Sequence, residues 1–167
     1  IFLVVPAQFL RNITTQLAGY LSRDIPVVIC AKGIEQNSAA LMSEIVDDTL
    51  PSRPIAVLSG PTFAAEVANG LPTAVTLATH QPNLGEELIQ SIGTQKLRPY
   101  LSTDVIGSEI GGAVKNVLAI ACGIADGHGF GDNARAAVIT RGLAEMTRLC
   151  VAKGGKAETM LGLSGLG

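Results

Sequence analysis

The feature that most constrains this chain is a rhythm in which short apolar runs alternate with stretches whose apolar residues fall at helical spacing. Ile1-Phe2-Leu3-Val4-Val5 is one such run, closed by Pro6. Phe9 to Leu21 then places Phe9, Leu10, Ile13, Leu17, Tyr20 and Leu21 at helix offsets, and Pro26 to Cys30 is a second run rich in β-branched residues. A run that is apolar throughout suits a strand buried on both faces, so the first one is expected to be central in its sheet. The rhythm continues with a helix over Ser38 to Leu50, a strand over Ile55 to Leu58, a short helix over Phe63 to Asn69 and a strand over Thr73 to Ala78. A helix over Leu84 to Ile92 and an edge strand over Leu97 to Leu101, interrupted by Pro99, complete it. Such alternation predicts a mostly parallel sheet with helices packed on it.

After Ser102 the rhythm is lost. Asp104 to Ala125 has neither proline nor strand-like alternation, and Ala134 to Ala152 is helical by Ile139, Leu143, Met146, Leu149 and Cys150. The fold class is therefore α/β, a parallel sheet region over 1–102 followed by the start of an all-helical domain over 103–167. With 167 residues, 47% of them apolar, a chain can bury about 70% of its unfolded surface and build a core without metals or disulfides. Cys30, Cys122 and Cys150 are odd in number and lack metal-ligand spacing, which points to a reducing cytosol and no metal site. A net charge of −2 gives no basic field for nucleic acid or membrane surfaces. No apolar run reaches the ~20 residues of a membrane span, so the expectation is a soluble, cytoplasmic protein. The chain starts inside an apolar run and stops at Gly165-Leu166-Gly167, and it reads as a segment of something longer.

Parallel strands bring their carboxyl ends to one edge, where open α/β sheets bind ligands. Three loops are expected there: Pro6 to Phe9, Ala31 to Gly33, and Ser59 to Ala64, the last with a glycine, a hydroxyl and helix N-terminal N–H groups suited to an oxyanion or phosphate. Lys32 is the only charge between Asp24 and Glu35, directly after a buried strand. Lys115 is the sole charge between Glu109 and Asp126, and its helical neighbours are Gly112, Gly111, Ala119, Cys122 and Ser108, with Leu118 the one larger side chain. Two adjacent helical glycines cost about 1 kcal/mol each, so they imply close approach of a ligand or another backbone. A lysine in such a cleft has its pKa lowered toward working pH, as a general acid/base requires. Gly127 to Asn133 follows a helix and not a strand, so it reads as a helix-helix corner with Asp132 or Asn133 as cap rather than a dinucleotide loop. His128 is read as a loop residue, and Arg141 as a mid-helix cation able to pair across the domain.

The segments VPAQF, AKGIE, SGPTFAAEVA, GGAVKNVLAIACGIADGHGFGDNARAA and TRGLAEM occur in the order in which they occur in the NAD(P)-dependent glycerol-3-phosphate dehydrogenases, and the chain resembles that family over essentially its whole length. The resemblance implies a Rossmann-type domain binding NAD or NADP, then a helical substrate domain. The implied reaction is reversible hydride transfer between dihydroxyacetone phosphate and sn-glycerol 3-phosphate, in a cytoplasmic homodimer feeding phospholipid synthesis. It further implies that Lys115 is the proton donor and acceptor and that Lys32 lies near nicotinamide and substrate. Gly60, Thr62 and Asn116 would contact substrate, and Phe9 and Ala64 the cofactor.

The family's GxGxxG and its later aspartate and arginine-asparagine pair are not among these residues. The expectation is that the 167 residues alone do not turn over. Two alternatives stay open: a related two-domain hydroxy-acid dehydrogenase or keto-acid reductase, and a non-catalytic nucleotide-binding module. A lone lysine on a glycine-lined helical face argues against the latter.

Overall fold

The computed structural model describes residues 1–167. Five strands form one sheet in the order β1 (Phe2–Leu3), β2 (Val27–Ile29), β3 (Ile55–Ser59), β4 (Thr73–Ala78) and β5 (Leu97–Ser102). Connecting them are α1 (Leu10–Leu17), α2 (Met42–Thr49), α3 (Ala64–Ala68) and α4 (Pro82–Ile92). Two long helices, α5 (Val105–Gly127) and α6 (Gly131–Ala152), and a 3-10 turn over Ala157–Leu161 follow the sheet. The period of two along each strand sends Val27, Ile29 and Val57 into a core with Met42, Ile45 and Val46 of α2. Val28, Ala56 and Leu77 point to the opposite face, covered by Leu88, Ile89 and Ile92 of α4. On α2 the three apolar residues fall at offsets of zero, three and four, and none is exposed. Each such buried side chain contributes about 1.5 to 3 kcal/mol, and Ile45→Ala would forfeit about 2 to 5 kcal/mol with the cavity it leaves.

Within residues 1–167 β1 pairs with β2; Leu3 is buried there, and Ile1, Phe2 and Val4 are exposed. The sheet is mostly parallel, as the alternation predicts, with one reversal. β4 runs antiparallel to β3, whereas the other three pairings are parallel. The reason is the length of α3: five residues span about 7 Å of helix, too little to carry the chain back across the sheet as a parallel crossover must. The chain turns at the carboxyl edge instead, so that Ser59 pairs with Thr76 and Val57 with Ala78. Pro99 lies in β5, which pairs with β4 alone, and there its missing N–H is tolerated.

This reversal decides where the helices go. Because β5 is parallel to β4, it delivers the chain to the edge opposite the carboxyl ends of β1, β2 and β3. From there α5 runs back along β3 and β4, from Val105 in the sheet core to Gly112 beside Ser59 at the end of β3. Asp104 caps it, accepting from the Gly107 N–H at 2.9 Å, from the Lys156 N–H at 2.9 Å and from the Thr159 hydroxyl. Ile110 of α5 joins Met146 and Cys150 of α6 and Met160 in a separate helical core.

Contrary to the sequence expectation, α5 is long and apolar enough to cross a membrane by length and composition. Its first two turns are buried inside this protein, with Ser108, Glu109 and Ile110 packed against other elements, so it is a core helix there. The expected side-chain cap on α6 is not made either. Phe130 occupies that position, and Asp132 instead sits in the first turn, where its charge suits the helix dipole.

Candidate active site

The carboxyl ends of β2 and β3, the glycine-bearing face of α5, and α6 enclose a cleft of about 710 Å³. Lys32 enters it from the end of β2, and Gly60, Pro61, Thr62 and Phe63 from the end of β3. Lys115 and Asn116 enter from α5. The Lys32 Nζ donates to the Gly60 carbonyl at 2.9 Å, and the Thr62 hydroxyl lies 3.5 Å from the same oxygen. Gly60 has φ +148°, and a Cβ there would come within 3.2 Å of the Val75 Cα, so the close return of β4 requires glycine. The Lys115 Nζ donates to the Gly167 carbonyl at 3.1 Å.

The glycine pair of α5 is what allows this convergence. A Cβ on Gly111 would run into the Ser164 carbonyl, and a Cβ on Gly112 would stand 2.9 Å from the Ser59 Oγ and 3.5 Å from the Lys32 Cγ. The stripped helical face read from the sequence therefore accommodates protein on both sides, bringing Lys115 to the same cleft as Lys32.

Burial lowers the pKa of Lys32 from the usual lysine value, and Cys30 opposes that shift. Burial also lowers Lys115, and the positive charge of Lys32 lowers it further. Both lysines donate to backbone carbonyls. Two desolvated cations so placed attract an anion and stabilise negative charge developing between them. The Ser59 to Ala64 loop adds less than its sequence suggests, because α3 is too short to supply a strong helix dipole.

Of the other predicted residues, Ala64 is the first residue of α3, next to Phe63 at the cleft. Phe9 ends a 3-10 turn at the carboxyl end of β1, and its ring is 60% exposed; that of Phe63 is 73% exposed. Phe9 and Ala64 are not in the wall of the cleft. Phe63 lines the cleft together with Lys32 and leaves an open aromatic face of the kind a nicotinamide ring can stack on. His128 stacks on Phe130 with ring centroids 5.4 Å apart, as a loop residue. Arg141 pairs with Glu145 on its own helix at 3.0 Å rather than across the domain.

Sequence reasoning missed three residues. Arg135 of α6 lines the far end of the cleft and pairs with Asp126 at 3.5 Å. Ser59 is buried with its hydroxyl unpartnered beneath Gly112 and Lys32. Glu109 is a buried carboxylate on α5 that accepts from Ser43 of α2. A lone acid in an otherwise apolar helical turn was the signal for Glu109.

Two family models match the chain: NAD-dependent glycerol-3-phosphate dehydrogenase N-terminus over residues 1–85 and the C-terminus of the same family over residues 104–167. Glycerol-3-phosphate dehydrogenase (NAD(P)+) from Paramagnetospirillum magneticum is 62% identical over the whole chain, which covers 61% of that protein. The enzyme of the same name from Rhodospirillum rubrum is 60% identical, and the chain covers 48% of it. The crystal structure of glycerol-3-phosphate dehydrogenase from Coxiella burnetii superposes with a TM-score of 0.95 at 45% identity, covering 100% of this chain and 51% of that one. The chain thus spans roughly half to three fifths of the length of these relatives.

Proposed function

The chain belongs to the NAD-dependent glycerol-3-phosphate dehydrogenase family, and from that premise we propose that it serves reversible reduction of dihydroxyacetone phosphate to sn-glycerol 3-phosphate. The observation that carries the reading is the convergence of Lys32 and Lys115 on one cleft, both with lowered pKa. NAD or NADP, when bound, supplies or accepts the hydride. In reduction, the Lys115 ammonium gives a proton from Nζ to the carbonyl oxygen as that oxygen gains negative charge. In oxidation, the neutral Lys115 amine takes the proton of the hydroxyl. A pKa lowered toward neutrality lets one side chain perform both steps. The Lys32 ammonium is placed to stabilise charge on the substrate oxygen and phosphate.

Gly60, Thr62 and Asn116 are assigned to substrate in this reading, and Phe9, Ala64 and Lys32 to the nicotinamide cofactor. This reading assigns residues 1–102 to the cofactor-binding domain and 103–167 to the first part of the substrate domain, an assignment that the change from sheet to helices supports. Family membership supports a cytoplasmic homodimer supplying glycerol 3-phosphate for phospholipid synthesis.

The test compares the complete protein's rates with dihydroxyacetone phosphate and with unphosphorylated dihydroxyacetone, followed by oxidation of the reduced nicotinamide. A strong preference for the phosphorylated substrate is expected. Equal rates, or turnover only with a keto acid, would replace this reading with the hydroxy-acid one.

A further inference from the structure

The helix that carries Lys115 is tied to the sheet region by a carboxylate that the proposed reaction does not use. Leu41, which precedes α2, has no side-chain oxygen to cap the helix, so the first N–H groups of α2 need other acceptors. Glu44 takes the Leu41 N–H at 2.6 Å. The Ser43 N–H and hydroxyl go to Glu109 of α5 instead, at 2.7 and 2.6 Å. Glu109 is only 5% exposed. The charged groups acting on it are Glu44 and Asp47 of α2, while His80, after β4, faces Asp47. A buried carboxylate among other acids is retained here by what it holds.

We propose that Glu109 is a positioning residue whose hydrogen bonds to Ser43 fix α5 on α2 and thereby set Lys115 against Lys32. This rests on the functional reading above. The reasoning is that of a lever. Along the helix, Glu109 lies about 7 Å from the Asp104 cap and Lys115 about 16 Å from it. A tilt about the cap that moves Glu109 is therefore roughly doubled at Lys115. The packing at Gly111 and Gly112 presses the helix against its neighbours but adds no hydrogen bond, since the Ser59 and Ser164 hydroxyls are unpartnered. Apolar packing at Ile110 tolerates small slides, so the directional restraint at this level is the pair of hydrogen bonds to Glu109, and misplacing an acid/base group by about 1 Å can cost about a hundredfold in rate.

The experiment uses the complete protein carrying Glu109→Ala or Glu109→Gln. Glutamine can still accept from the Ser43 N–H and donate to its hydroxyl, so it restores the tie without the charge. Two readouts are taken: steady-state reduction of dihydroxyacetone phosphate, and competitive acetylation of Lys115 across pH, which reports its titration without turnover. Glu109→Ala is expected to lower kcat about tenfold or more with cofactor KM within about twofold, since only the placement of the acid/base is lost. Its Lys115 titration should move to higher pH as the lysine leaves Lys32, and Glu109→Gln should recover most of both. The proposal is overturned if a folded Glu109→Ala protein keeps the wild-type Lys115 titration, or if Glu109→Gln is as impaired as Glu109→Ala. Should the alanine variant not fold, Ser43→Ala, which removes only the hydroxyl bond, decides by the same readouts. If the complete protein does not reduce dihydroxyacetone phosphate at all, the functional reading fails, and the acetylation titration still decides the positioning role.

Discussion

Lys115 faces Lys32 across one cleft, and the charge of Lys32 lowers the pKa of Lys115 beyond what burial alone does. Such like-charge proximity costs stability unless an anion is meant to enter. It arises because β4 turns back at the carboxyl edge of β3, which sends α5 up the sheet from the opposite edge and ends its climb beside Lys32.

Replacing Lys115 with alanine in the complete protein should lower kcat for dihydroxyacetone phosphate reduction by about 10² to 10⁴, the usual contribution of a positioned acid/base. Cofactor affinity, measured by quenching or enhancement of nicotinamide fluorescence, should stay unchanged. Arginine should not rescue, because a guanidinium does not release a proton near neutral pH. Near-normal turnover in the alanine variant would remove Lys115 from the chemistry.

The two lysines also make a prediction about pH. Glycerol 3-phosphate oxidation needs the neutral form of Lys115, so its rate should rise with pH through a pKa below the ordinary lysine value. Lys32→Met removes the positive neighbour that helps depress this pKa. The Lys115 pKa then rises, and the rising limb of the oxidation profile should move to higher pH. A limb that stays in place, or moves down, would mean that the two ammonium groups do not interact.

The parts of this arrangement differ in how far the sequence discloses them. Thr73 to Ala78 and the long helices were readable because their periodicity is local. Lys115 was readable because a lone charge among glycines and alanines is costly without a purpose. The antiparallel β4 was not, since alternation of strands and helices carries no direction; only the shortness of α3 hinted at it. Glu109 and Ser43 lie 66 positions apart, and nothing in either segment names the other.

The adjacent glycines of α5 should respond differently to alanine. At Gly111 the new Cβ would meet the Ser164 carbonyl, backbone that cannot rotate away. Overpacking of that kind costs about 1 to 3 kcal/mol. At Gly112 it would meet the Ser59 hydroxyl, which has no hydrogen bond to lose and can turn aside. That smaller clash is set against the gain of about 1 kcal/mol from replacing a helical glycine. Denaturant midpoints should therefore fall clearly for Gly111→Ala and little for Gly112→Ala; the reverse order would contradict the packing described.

Glu109 makes stability itself pH-dependent. Burial, with Glu44 and Asp47 nearby, raises its pKa to about 7, although the bonds from Ser43 pull the other way. Its pKa in the unfolded chain is the ordinary value near 4.5. A carboxyl raised on folding binds its proton more tightly in the native state, so its favourable contribution is complete below the unfolded value and is lost as pH rises through the folded one. At about 1.4 kcal/mol per pH unit, the loss between these limits is on the order of 3 kcal/mol. Glutamine mimics the protonated acid and cannot ionise. The Glu109→Gln protein should therefore match the wild type near pH 4.5 and become progressively more stable than it up to pH 8. Urea unfolding of both proteins at a series of pH values measures the difference, and a stability gap that does not widen with pH would show that Glu109 is ionised in the fold throughout the range.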